Sequence, residues 1–223
     1  MPKSQKEIAA LIEARQQGIH VDLGGGQYPQ PGFLNLDNRD LKQVDIVHDL
    51  TLFPWPLPDE CASIVMCSHL VEHLNPMSAD PKLTRLIDLL VKKKLLSPAE
   101  VLDTIGENTG KPMFLRFMDE VWRIMKPDGQ FMITTPYGGS FGWWQDPTHI
   151  KGYNEATWAY FDPMVPLDRA QPSLGGLWNI YEPKPWKIEI NTWHGNSNME
   201  VVLRKRPIQK QYLYPDNSVP KYA

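Results

Sequence analysis

The sequence predicts a single α/β domain on an open, mostly parallel sheet, and three observations carry that reading. Five short apolar runs with little alternation, 19–23, 33–36, 44–47, 63–67 and 130–135, have the composition of strands covered on both faces. The first four end in glycine or in Asp, His or Ser, as expected where strand ends present a binding crevice. The fourth and fifth are separated by segments with helical periodicity, the spacing that a parallel crossover needs.

Taken in order, residues 4–17 read as a helix. Ser4 and Glu7 form a capping box, Ile8, Leu11 and Ile12 give one apolar face, and Gly18 closes the end. The first strand, Ile19 to Leu23, carries Asp22 near its end and breaks into Gly24-Gly25-Gly26. Consecutive glycines suit a backbone that must take positive φ or admit a ligand closely. The second run ends in Asp37, the third in His48-Asp49, and the fourth opens into Ser68-His69-Leu70-Val71-Glu72-His73. Residues 76–111 exceed what a crossover needs and read as an inserted helical pair, with Ser97-Pro98-Ala99-Glu100 as a restart signal. Pro112 to Met125 then sets Phe114, Phe117, Met118, Val121, Ile124 and Met125 at helical spacing. The turn Lys126-Pro127-Asp128-Gly129 leads into the fifth strand. Residues 136–185 are dense in aromatics, Gly and Pro. Trp186 to Trp193 and Met199 to Arg204 form a terminal hairpin around the turn 194–198. The domain is expected to span 1–206, with 207–223 as a loosely held tail.

Composition narrows the function. A net charge of −3 and a pI near 6.1 do not favour a protein whose affinity comes from neutralising many phosphates, so nucleic acid is not the expected partner. The run Lys92-Lys93-Lys94 reads as the wet face of a helix. No stretch approaches the ~18 apolar residues of a membrane span, and the start of the chain lacks a secretory h-region. Cys61 and Cys67 read as buried reduced thiols, which points to the cytoplasm.

One series of motifs is more specific. Asp22-Leu23-Gly24-Gly25-Gly26, Asn35-Leu36-Asp37, His48-Asp49-Leu50, Leu57-Pro58-Asp59, Ser68 to Leu74 and Arg123 to Gly129 follow one another in this order. Together they resemble the class I S-adenosylmethionine-dependent methyltransferases, and more narrowly the type 11-like group. The resemblance covers about 19–150, and the terminal hairpin fits the same architecture. It implies a Rossmann-like sheet of seven strands, S-adenosyl-L-methionine as cofactor, S-adenosyl-L-homocysteine as product, and methyl transfer to an acceptor. It also implies roles: Gly24, Gly25 and Gly26 let the backbone approach the cofactor, and Asp22 helps hold its amino acid portion. Asp37 would accept from the ribose hydroxyls, Asp49 and Leu50 would border the adenine, and Ser68 and His69 would face the methyl group.

The sequence departs from the family at one place. Only residues 24–32, with Pro29 and Pro31, link the first two strands, where a crossover helix is usual. The first helix is therefore shrunken or missing, and the N-terminal segment 4–17 is available to fill its place. Beyond the fifth strand, the aromatic loops with Trp143, Trp144, Tyr153, Trp158, Tyr160 and Phe161 are expected to build an acceptor pocket, or else a small core under a long loop. His149 is the first candidate base, because an imidazole titrates close to working pH; the plainer alternative is a histidine bonded to the loop backbone. Tyr137 is the next candidate. The expected acceptor is a small molecule, with a protein side chain second, and no metal is expected.

Three other functions compete. His69-Leu70-Val71-Glu72-His73 is formally H-x-x-E-H, a zinc-protease pattern that needs an extended helix and a further ligand. A non-catalytic cofactor-binding or partner-activating module fits the same motifs. A nicotinamide dehydrogenase fits worse, since Pro29 stands where the last glycine of its loop belongs.

Overall fold

The computed structural model describes residues 3–14, 18–74, 89–95, 97, 112–164, 183–195 and 197–209. In chain order these form α1 (Gln5–Ala14), β1 (Ile19–Leu23), β2 (Leu34–Asp37), β3 (Ile46–Val47), β4 (Ala62–Ser68) and a 3-10 turn at Val71–His73. There follow α2 (Met113–Ile124), β5 (Met125–Pro136), α3 (Phe141–Trp144), α4 (Glu155–Ala159), β6 (Trp186–Trp193) and β7 (Asn198–Lys205). The seven strands make one sheet in the order β3-β2-β1-β4-β5-β7-β6. The pairs β1–β2, β2–β3, β1–β4 and β4–β5 are parallel, whereas β7 runs antiparallel to both β5 and β6. This is the mostly parallel sheet with a terminal antiparallel hairpin that the sequence predicts.

The strand composition explains the position of the sheet. Ile19, Val21 and Leu23 of β1, Val65 and Cys67 of β4, and Phe131 of β5 are all fully buried, as central strands packed on both faces require. α2 lays Phe114, Phe117, Met118, Val121 and Ile124 on this core. α1 is capped as read, with Ser4 N–H donating to Glu7 Oε2 (2.7 Å) and Glu7 N–H to Ser4 Oγ (3.3 Å). It buries Ile8, and Leu11 and Ile12 pack against the core. The turn Lys126-Pro127-Asp128-Gly129 lies within β5: the β4–β5 register jumps from Ala62↔Met125 to Ile64↔Gln130, and Asp128 takes φ +61°.

The crossover from β1 to β2 contains no helix; residues 24–33 are turns and loop. Of the expected insertion at 76–111, only 89–95 and 97 lie within the described residues, and 89–92 are helical. The aromatic region divides between core and surface. Tyr153, Trp158 and Phe161 are buried and pack on Phe114 at ring separations of 4.9, 5.8 and 5.7 Å. Trp144 is exposed. The alternative of a small core under the loop therefore accounts for these three rings. Both cysteines are buried and free.

Candidate active site

Parallel pairing brings the carboxyl ends of β1 to β5 to one edge of the sheet, and the sequence-predicted carboxylates lie along that edge. Asp22 pairs in register with Asn35, Leu23 with Leu36, and Asp37 with Val47. The glycine loop is folded against these side chains. Gly26 N–H donates to Asp37 Oδ2 (3.1 Å), and Asn35 Nδ2 donates to the carbonyls of Gly26 (2.9 Å) and Gln43 (3.0 Å). At Gly25 a Cβ would sit 2.6 Å from Asp22 Oδ2 and 2.8 Å from Asn35 Oδ1, so no larger residue fits without displacement. Gly26 takes φ +55°, a left-handed conformation that glycine adopts without steric cost.

The three carboxylates differ in what they hold. Asp22 is buried, and its Oδ2 accepts from Gln30 N–H at 2.7 Å, tying down the short crossover. Burial raises its pKa, with the nearby Asp37 charge adding to the rise and the Gln30 bond opposing it. Asp22 therefore supports the loop through Oδ2. Asp37 is gripped by Arg39, whose Nε and Nη2 lie 3.0 and 3.2 Å from its two oxygens. Burial pushes its pKa up, but the Arg39 bonds and charge and the Gly26 N–H outweigh it, and the net shift is downward. Asp49 Oδ1 accepts from Thr51 N–H (2.9 Å) and Oγ1 (2.7 Å) in a local turn, while Leu50 is buried in the hydrophobic core.

The loop after β4 runs from this edge toward a cavity. Leu70 packs on the glycine loop, 3.0 Å from where a Gly24 Cβ would lie. Beyond it, His69, His73, Pro136, Gln145, Asp146, His149, Ser197 and Asn198 help line a cavity of about 520 Å³. Ser68 ends β4 beside it and is exposed. His69 takes φ +51° and sets Nδ1 3.2 Å from Glu72 Oε1. That contact raises the His69 pKa, against the opposing effect of burial. Glu72 is fully buried; its Oε2 accepts from Thr135 Oγ1 at 3.1 Å, and its carbonyl accepts from Ile150 N–H at 2.8 Å. His149, 7% exposed at its side chain, bonds through Nδ1 to the Trp143 carbonyl (2.8 Å) and stacks on the Trp143 ring (5.0 Å).

Several sequence expectations change here. The cavity is polar, and the tryptophans do not enclose it as expected; of the large rings, Phe141 reaches its lining. Tyr137 packs its ring on Trp193 (5.0 Å) and bonds through its backbone to Ser197, outside the cavity lining. The H-x-x-E-H segment makes one 3-10 turn at Val71–His73, so His69 and His73 do not share the face of an extended helix. Gln145 and Asp146 lie in the segment after β5 that is expected to build the acceptor pocket, and sequence reading missed Ser197 and Asn198. Their signal was only polar residues in a hairpin turn, and the antiparallel pairing of Pro136 with Asn198 is what brings that turn to the cavity.

No protein-family model matches the chain, and no curated protein matches it. Solved structures that it is similar to include a SAM-dependent methyltransferase from Aquifex aeolicus, at 11% identity over 92% of this chain and 90% of that one, with a TM-score of 0.42. A type 11 methyltransferase from Sulfolobus solfataricus shares 15% identity over 92% and 93% of the two chains, with a TM-score of 0.41. A SAM-dependent methyltransferase from Archaeoglobus fulgidus shares 15% over 91% and 95%, with a TM-score of 0.44. Likeness at this level says nothing of reaction or acceptor, and the sheet order rests on the strand pairings themselves. The fold is a Rossmann-like sheet of seven strands, mostly parallel with a terminal antiparallel hairpin.

Proposed function

We propose that this chain transfers a methyl group from S-adenosyl-L-methionine to an acceptor held in the cavity beside β4 and β5. The observation that carries the reading is that the glycine loop, packed on Asn35 and Asp37, and the cavity bordered by His69 and His149 lie at one sheet edge, with Leu70 between them. The glycine loop fits the cofactor, since Asn35 Oδ1 beside it is buried without a hydrogen-bond partner. When bound, the cofactor supplies an electrophilic methyl on a sulfonium. Asp37 is the acceptor for ribose hydroxyls, which requires Arg39 to yield part of its grip. Asp49 borders the adenine, and Ser68 and His69 face the methyl group from the end of β4. Methyl transfer needs alignment and exclusion of water more than acid–base power. Two imidazoles at the cavity can still take an acceptor proton, His69 and His149.

The polar lining favours a small polar acceptor over an apolar one. The net charge of −3 argues against nucleic acid, and two free, buried thiols suit a cytoplasmic setting. Among the described residues no helix is long and apolar enough to cross a membrane. The test is incubation with methyl-labelled cofactor and a cell extract split into small-molecule and macromolecular fractions. Label in the small-molecule fraction is the expected result; label only in macromolecules overturns the small-acceptor assignment. Absence of transfer to either fraction, by protein that binds the cofactor, would favour a non-catalytic module.

A further inference from the structure

Glu72, His73 and His149 each offer a ligand atom, and the three atoms lie within 4.8 Å of one another. Their surroundings make the cluster more than a coincidence of spacing. A carbonyl oxygen only accepts, so the bond from His149 Nδ1 to Trp143 O (2.8 Å) puts the proton on Nδ1 and leaves Nε2 with a lone pair. His73 repeats the arrangement, its Nδ1 lying 3.3 Å from the Thr148 carbonyl and 3.1 Å from Thr148 Oγ1. Two imidazoles with Nδ1 on backbone carbonyls have the outer-shell pattern of metal ligands, and His149 Nε2 stands 3.8 Å from Asp146 Oδ2, beyond hydrogen-bond distance. Their rings stand 4.8 Å apart and tilted by 58°. The third member is a fully buried carboxylate whose Oε1 faces His69 Nδ1 at 3.2 Å. A buried carboxylate favours a cation beside it.

We propose that Glu72, His73 and His149 bind a zinc-class divalent cation at the acceptor cavity. Two imidazoles and a carboxylate match the donor preference of such an ion, and three protein ligands leave a coordination position open. Ligand bonds near 2.1 Å place tetrahedral ligand atoms about 3.4 Å apart, so a pair at the 4.8 Å limit closes by about 1.4 Å on loading. The open position would hold an acceptor that ligates through sulfur or oxygen, a thiol or a hydroxyl. Ligation lowers the acceptor's pKa, and its proton leaves to water, His149 then serving as ligand and not as base. The acceptor atom then bonds to the methyl carbon as the carbon–sulfur bond of the sulfonium breaks, and the electron pair of that bond stays on the departing thioether.

The ion site as an acceptor site rests on the methyl-transfer reading, so the test keeps binding of the ion separate from binding of the cofactor. Metal-free protein is titrated with Co²⁺, whose visible absorption reports coordination, and with Zn²⁺ as competitor. The expected result is one equivalent of Co²⁺, displaced by Zn²⁺, with affinity falling about 100-fold or more in His73→Ala and in His149→Ala. No stoichiometric binding, or binding retained in either folded variant, overturns the site. If the variants do not fold, wild-type protein is treated with diethyl pyrocarbonate. One equivalent of Zn²⁺ should shield His73 and His149, and unchanged labelling of both overturns the site equally. S-adenosylhomocysteine is titrated in parallel by calorimetry. Ion binding without nucleoside binding would sink the methyl-transfer reading and leave the metal site standing.

Discussion

Asp37 sits between two demands, the positive charge of Arg39 and the backbone of the glycine loop. Its lowered pKa means that the folded state holds the carboxylate more readily than the unfolded chain does. The resulting stability is present above the ordinary carboxylate value near 3.9 and is lost as pH falls through the lower folded value. Arg39 is largely exposed, so the pair is screened. Arg39→Ala is expected to cost less than about 1 kcal/mol at pH 7 by urea unfolding, with the difference vanishing near pH 2. A loss that persisted at pH 2 would mean that Arg39 acts through packing. Gly25 tests the other side of the loop. Gly25→Ala forces a Cβ into the Asp22 and Asn35 carboxylate and amide, and should lower stability by about 1–3 kcal/mol while abolishing nucleoside binding. Unchanged binding in that variant would remove the glycine loop from the site. At this scale the sequence was only partly legible. The types and order of Asp22, Asp37 and Asp49 could be read, but what each carboxylate would hold could not, because Gln30 N–H, Arg39 and Thr51 reach them only through the folded backbone.

At the scale of elements, local pattern was a good guide wherever burial follows from periodicity. The stripe Phe114, Phe117, Met118, Val121 and Ile124 is buried on α2 as its spacing predicts, and the unalternating runs became the central strands. The missing crossover helix could also be read, from the number and prolines of residues 24–32 alone. Loops were less legible. The aromatic residues after β5 gave no sign of which would be core, since Tyr153, Trp158 and Phe161 differ from Trp143 and Trp144 in tertiary neighbours and not in type. The buried Trp158 packs on Phe114 and Tyr153, and its Nε1 points to Met199 Sδ at 3.3 Å. Trp158→Ala should therefore cost about 3–5 kcal/mol in chemical unfolding. A cost below about 1 kcal/mol would show that this small core does not anchor the loop. The anchor matters for function, because Tyr153 OH donates to the Val71 carbonyl (3.0 Å) and so fastens the loop to the turn that carries Glu72 and His73.

For the molecule as a whole, the parallel half of the sheet and the antiparallel hairpin have separate tasks. β1 to β3 carry the glycine loop and the carboxylates, β4 carries the junction, and the β6–β7 hairpin turn contributes Ser197 and Asn198 to the cavity wall. Strand order makes this division possible, because β4 lies between β1 and β5 and its terminal loop touches the glycine loop through Leu70 and the cavity through His69. The central claim is that the glycine loop and Asp37 hold the nucleoside of the methyl donor. Calorimetric titration of S-adenosylhomocysteine into the wild-type protein and Asp37→Asn tests it most directly. The account predicts one site in the wild type and an affinity at least about tenfold weaker in the variant, the loss expected for a hydrogen bond to a charged acceptor. Equal affinity in the two proteins, or no binding to the wild type, would contradict it.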